Sequence, residues 1–279
     1  MAMRWQRQAR RSTLSLLACL ASLVAAAFAA VLVPAAALAA DLPTVVAVAK
    51  PSVLPVGSYS ATGNPRFAFR GSGFVIEGNL LATNYHVLPD SADTDPNVQL
   101  AIAVSRVNAA GDLQIRMARV VATDRLRDLA LLQFDGPPLP SLTLAEAGTA
   151  REGQSIALMG FPMGGTLGYA MVTHRGIIAA ITTVALPAPT AKQLDARALV
   201  RLREGNFEVL QLDATAYPGN SGGPVIDADS GRVMGIVNQV LVRGSRESAM
   251  SAPSGITYAI PVALVQELLR EYRSTQPKK

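Results

Sequence analysis

Residues 217–225 read YPGNSGGPV, a glycine-rich turn set between apolar runs of strand character at 207–215 and 224–226. Such a turn can be no more than a hairpin connection. It is also what a nucleophilic serine requires. A serine hydroxyl attacks only when a base removes its proton, and the oxygen that becomes negative needs donors aimed at it. Gly219 allows the chain to bend so that its own N–H and that of Ser221 converge on one point, with Asn220 between them. Gly222 and Gly223 are expected to leave room for an extended ligand.

A base for Ser221 has two candidates, because the chain contains only His86 and His174. His86 closes GSGFVIEGNLLATNYHVL (71–88), where two strands end in Ala82, Thr83 and Asn84, the pattern of a strand end facing a cleft. His174 lies within the apolar run 171–178, with no acidic neighbour, and reads as a structural strand residue. A carboxylate must then hold the imidazole in the correct tautomer. Asp128, in DRLRDLALLQF, opens an apolar strand and is the candidate. Asp124 is the rival, four residues earlier in a charged turn, where a solvated acid is the simpler reading.

Outward from these motifs, short apolar runs are separated by Gly, Pro, Asn and Asp. They fall at 67–76, 80–83, 98–107, 113–122 and 129–134. Past a break at Pro137, Pro138 and Pro140 they continue at 155–161, 169–184, 207–215, 224–226, 233–242 and 256–260. The pattern predicts an all-β chain of two strand clusters, five or six strands each, at about 45–140 and about 150–260, as barrels or sandwiches. One helix is predicted at 261–272, opened by Pro261, with Val262, Val265, Leu268, Leu269 and Tyr272 on one face. Residues 191–202 carry a weaker helical pattern.

Half of the 279 residues are apolar, enough for one or two domains with a true core. The formal charge of +5 points to no nucleic-acid partner. Arg4, Arg7, Arg10 and Arg11 supply four of the 25 basic residues, and the 21 that remain face 20 acidic ones. Those arginines precede an uncharged stretch, 12–40, ending in Ala37, Leu38 and Ala39, the pattern of a signal peptide cleaved near residue 40. Residues 1–40 are therefore expected to direct export to the periplasm or outside, with no stable membrane association afterwards. The same run is long enough to serve as an uncleaved anchor. Arg10 and Arg11 give a weak twin-arginine pattern, and the run ending at Cys19 a weak lipobox. Cys19 is the only cysteine, so a chain cut near residue 40 has no thiol nucleophile and, with two isolated histidines, no usual zinc site. Phosphate-loop and dinucleotide signatures are missing, and no cofactor or metal is expected.

Three motifs in order, GSGFVI with TNYHV, RDLALLQ, and PGNSGGPVID followed by GRVMGIV, resemble the HtrA (Deg) branch of the chymotrypsin-fold, trypsin-like serine proteases. The similarity runs from about residue 45 to the helix after Pro261 and includes YAIPV. It implies one protease domain at 41–279 made of two six-stranded antiparallel β-barrels and a C-terminal helix, with a cleft between the barrels. It further implies Ser221 as nucleophile, His86 as general base, Asp128 as its orienter, and Gly219, Asn220 and Ser221 around an oxyanion hole. In chymotrypsin-like proteases the position six before the nucleophile floors the primary specificity pocket. Here that is Thr215, so cleavage after small or medium apolar residues is expected, with Thr215, Ala216, Tyr258, Ala259 and Ile260 lining the pocket. HtrA proteins usually add PDZ domains, for which this sequence leaves no room, so neither PDZ capture nor the family's oligomers carry over. A non-catalytic or latent module that binds extended peptides is the competing expectation.

Overall fold

A computed structural model describes residues 41–89, 97–104, 114–164, 169–183, 207–238 and 255–276. The expected leader, the helical pattern at 191–202 and the far ends of the strands expected to reach 107, 184 and 242 lie outside the described residues.

Among the described residues, twelve strands form two closed antiparallel barrels. The first contains β1 (Val53–Ser60), β2 (Phe67–Glu77), β3 (Leu80–Thr83), β4 (Val98–Val104), β5 (Gln114–Asp124) and β6 (Leu129–Phe134), paired in the order β1-β2-β3-β6-β5-β4. The second contains β7 (Ser155–Gly160), β8 (Val172–Thr183), β9 (Glu208–Asp213), β10 (Pro224–Asp227), β11 (Val233–Asn238) and β12 (Ile256–Pro261), in the order β10-β11-β12-β9-β8-β7. Closure removes the free edges that an open sheet would expose. Helix α1 (Leu42–Ala49) precedes the first barrel, and α2 (Val262–Thr275) follows the second.

Eleven of the strands follow the runs read from the sequence; β1 does not. Its sequence, VLPVGSYS, is broken by Pro55 and Gly57, and proline cannot donate to a ladder. Tertiary pairing overrides that local weakness, because β1 is held on both sides, Val53 opposite Phe74 of β2 and Val56 opposite Ile102 of β4. Helix α1 was hidden for the opposite reason. LPTVVAVA is rich in β-branched residues, yet Pro43 sits in its first turn and Val45 and Ala49, four apart, face inward. Helix α2 buries the expected stripe of Val262, Val265, Leu268 and Leu269.

The near-continuous apolar runs have a physical cause. A strand sends alternate residues to opposite faces, and here several strands are buried on both. In β6, Ala130, Leu132 and Phe134 fill the first barrel, whereas Leu129 and Leu131 face a second cluster shared by both barrels and both helices. In β7, Ile156 and Leu158 fill the second barrel, and Ala157 and Met159 join the shared cluster. β2, β3, β10 and β12 divide their residues in the same way. The barrels are thus joined by a continuous cluster of buried apolar side chains.

Leu131 is fully buried in that shared cluster. Leu131→Ala should cost about 2–5 kcal/mol of stability, read as a lower midpoint in urea. Because the cluster spans both barrels, the transition should remain single, and two separated transitions would contradict a common core.

Candidate active site

His86 sits in a single 3-10 turn, Tyr85–Val87, directly after β3. The turn is placed by Asp128. The Asp128 carbonyl accepts the Tyr85 N–H at 3.1 Å and the Asn84 Nδ2 amide at 3.0 Å. Its carboxylate accepts the His86 backbone N–H through Oδ1 at 2.8 Å, and Oδ2 lies 2.6 Å from His86 Nδ1. An acceptor at Nδ1 keeps the proton there and leaves Nε2 of the neutral ring as a base. Asp128 pays for this with a left-handed backbone, φ 56°, a region in which Asp is more tolerated than most residues. Asp124, the rival carboxylate, is committed elsewhere. It accepts the Arg127 N–H at 3.0 Å and pairs with the Arg127 guanidinium at 3.3 Å, and that guanidinium also reaches Glu267 of α2 at 3.0 Å.

A third donor to the Asp128 carboxylate comes from the other barrel, where Asn238, the last residue of β11, donates Nδ2 to Oδ2 at 2.8 Å. Sequence reading missed Asn238. The available signal was a buried polar residue ending the otherwise apolar run VMGIVN.

Ser221 is 5% exposed. A Cβ placed on Gly71 would lie 2.9 Å from the Ser221 carbonyl and 2.7 Å from Val87, so the serine segment and the histidine turn flank the same glycine. The Ser221 hydroxyl makes no hydrogen bond to His86 in this structure. Two N–H groups beside it are not used by the fold. Gly219 has φ 105°, open to glycine alone, and Pro218 turns its carbonyl toward the Met163 N–H at 2.8 Å. In a trans peptide the Gly219 N–H then points the other way. Among the described residues neither it nor the Ser221 N–H has an acceptor.

Asn220 stands apart from that pair. Its N–H goes to the Tyr217 carbonyl at 3.0 Å, and its fully buried side chain faces Gly160, where an added Cβ would meet Oδ1 at 2.8 Å. Gly222 and Gly223 also differ from the expectation of ligand space. An added Cβ would meet the Ser72 carbonyl at 2.1 Å in the first case and the Met159 carbonyl at 2.1 Å in the second. They permit backbone to pack on backbone.

Of the expected pocket residues, Thr215, Ala216 and Tyr258 are half-buried, while Ala259 and Ile260 are wholly enclosed in the hydrophobic clusters. The segment before Thr215 is pinned by Thr257, whose hydroxyl donates to the Ala214 carbonyl at 2.6 Å.

The trypsin-like peptidase domain family matches residues 71–236, more than half of the chain. This chain belongs to that family. Its domain is similar to mitochondrial serine protease HTRA2 of Drosophila pseudoobscura pseudoobscura, 29% identical over 218 residues that cover 78% of this chain and 42% of the relative. It is similar also to a probable periplasmic serine endoprotease, DegP-like, of Halomonas elongata, 32% identical over 205 residues, 73% of this chain and 35% of the relative. The chain thus spans less than half the length of these curated relatives. Among solved structures, the HtrA-type protease AlgW with a decapeptide superposes with a TM-score of 0.59 at 25% identity, covering 85% of this chain and 68% of that one.

Within this peptidase domain His174 lies on β8, opposite Leu158, with its ring centroid 5.8 Å from that of Tyr217. Its Nε2 is buried without a partner, and burial holds its pKa below the usual imidazole value. The unfolded chain therefore binds the proton more readily. This contribution is intact above about pH 6.5 and is lost as pH falls toward the lowered folded value. His174→Gln should accordingly lose less melting temperature than wild type between pH 7 and pH 5, and equal losses would contradict the buried neutral ring.

Proposed function

We propose that this chain is a serine endopeptidase that hydrolyses peptide bonds through an acyl-enzyme. The observation that carries the reading is the Asp128–His86 pair beside a buried serine whose neighbouring N–H groups lack acceptors. In the proposed reaction the substrate carbonyl enters between the N–H groups of Gly219 and Ser221. The Ser221 oxygen attacks the carbonyl carbon as His86 Nε2 takes its proton. Asp128, accepting Nδ1–H, stabilises the imidazolium and stays ionised. The tetrahedral oxyanion is held by the two N–H groups. His86 then returns the proton to the leaving amine, and water repeats the sequence on the ester. Apart from water, the scheme needs no group beyond the chain's own residues.

Thr215 at the expected pocket floor offers no carboxylate to a basic side chain, and Ala216 beside it packs against apolar residues. Both features support cleavage after small or medium apolar residues, and the decapeptide named with AlgW supports an extended peptide as ligand. Residues 1–40 are proposed as a leader directing this domain, 41–279, to the periplasm or outside the cell. Among the described residues no helix is long and apolar enough to cross a membrane. A latent module that binds extended peptides without cleaving them is the second reading, favoured by the missing Ser221–His86 hydrogen bond.

An alkyl fluorophosphonate probe separates the two. Wild type should label, and Ser221→Ala should not label while keeping the wild-type melting temperature within a few degrees. An unlabelled wild type favours the latent module. Asp128→Asn should lower kcat about 10⁴-fold, since the amide favours the wrong imidazole tautomer. Peptide-library cleavage should show Ala, Val or Ile before the cut; an Arg or Lys preference would remove the specificity assignment.

A further inference from the structure

Ser72 of β2 is fully buried, and every polar group it carries is hydrogen-bonded, the N–H and the hydroxyl to residues outside its own barrel. Its N–H donates to the Ser221 carbonyl at 2.8 Å. Its carbonyl accepts the Thr83 hydroxyl at 2.7 Å. Its own hydroxyl accepts the Phe161 N–H at 3.0 Å, which leaves the hydroxyl proton for the Gly219 carbonyl, 2.7 Å away.

The last contact matters because of what Gly219 is. A glycine at φ 105° has no side chain to resist rotation of the peptides on either side. The preceding peptide is fixed through the Pro218 carbonyl by the Met163 N–H. The following peptide is held at its N–H by the Tyr217 carbonyl, 3.0 Å away, within the same turn, and at its carbonyl by the Ser72 hydroxyl, its one hold from the opposite barrel. Phe161 and Met163 belong to one turn after β7, so that turn and Ser72 close on the Gly219 segment from two sides. Packing leaves room for nothing else: a Cβ on Gly160 would stand 3.0 Å from Ser72 Oγ, and one on Gly219 would stand 2.4 Å from the Phe161 carbonyl.

We propose that Ser72 is a positioning residue for the anion-binding N–H groups, holding the Gly219–Asn220 peptide from the opposite barrel so that the Gly219 and Ser221 N–H groups stay convergent. The inference rests on the reading of Ser221 as nucleophile. Ser72 touches neither substrate nor imidazole, so its removal should leave the acid–base pair alone and weaken only the stabilisation of the tetrahedral oxygen.

The test is the second-order rate of fluorophosphonate labelling of the full chain across pH 5–9, with melting temperature as the check on folding. Ser72→Ala should label about tenfold or more slowly than wild type, with the midpoint of the acid limb, set by His86, unmoved. Ser72→Cys, which keeps a side chain there with a weak donor, should fall between the two and serves where the alanine variant does not fold. A folded variant of either kind that labels within twofold of wild type overturns the proposal. So does a loss that is fully explained by a displaced acid limb, because Ser72 would then act through His86. A wild type that does not label overturns the nucleophile reading itself, whereas a labelled wild type matched by its Ser72 variants overturns only the role of Ser72.

Discussion

The carboxylate of Asp128 is the point at which the two barrels are made to agree. It accepts two donors from the first barrel, the backbone and ring nitrogens of His86, and one from the second, the Asn238 amide. A buried or half-buried carboxylate is costly unless its oxygens are satisfied, and here the satisfaction can be completed only with both barrels in register. The left-handed backbone at Asp128 is held by the same set of bonds, since its carbonyl is occupied by Tyr85 and Asn84. Arg127, the residue before it, is tied through Glu267 to α2, so the element that ends the second barrel also steadies the turn that carries the acid.

This polar contact is small beside the apolar surface that brings the barrels together. The shared cluster of Leu129, Leu131, Met159, Ile226, Ile260 and their neighbours supplies the driving force, because burial of apolar area is strong but has no direction. Directed bonds then choose one arrangement among those that apolar contact permits. Glycines set how closely the backbones can approach. At Gly222 the chain comes so near Ser72 that no side chain could intervene, and that approach allows the Ser72 N–H to reach the Ser221 carbonyl.

The fold was largely legible because its strands are long enough and apolar enough to stand out between turn residues, and because α2 carries a clean helical stripe. What escaped was local weakness repaired by tertiary pairing, as in β1, and a β-branched helix, α1. In the site, His86 was readable because it stood at a strand end while His174 lay inside a run, whereas the choice of Asp128 over Asp124, which ends β5, rested on the family resemblance. The side of a strand to which a residue turns was less readable. The glycines after Ser221 were read as space for a ligand, whereas they face the β2 and β7 backbones, and Ala259 and Ile260 turn into the clusters. Asn238 and Ser72 were hidden because their partners lie 110 and 147 residues away, separations that no local pattern records.

Local departures from ideal structure collect along the same seam. Asp128 and Met163 have positive φ without being glycine, Gly219 sits at 105°, and Asn220 is fully buried with both side-chain polar atoms lacking partners, as is Asn84 Oδ1. The positive φ of Asp128 and Met163 and the unpartnered buried polar atoms each cost of order 1–3 kcal/mol, whereas Gly219 takes its conformation without that strain. Their concentration beside Ser221 and His86 is what a preorganised site requires. In the proposed reaction the Gly219 and Ser221 N–H groups, which have no protein acceptor among the described residues, are the donors that meet the negative oxygen. The apolar cluster shared by the barrels supplies the stability that tolerates this local cost, and the proposed role of the Ser72 contact is to keep the Gly219 segment from relaxing.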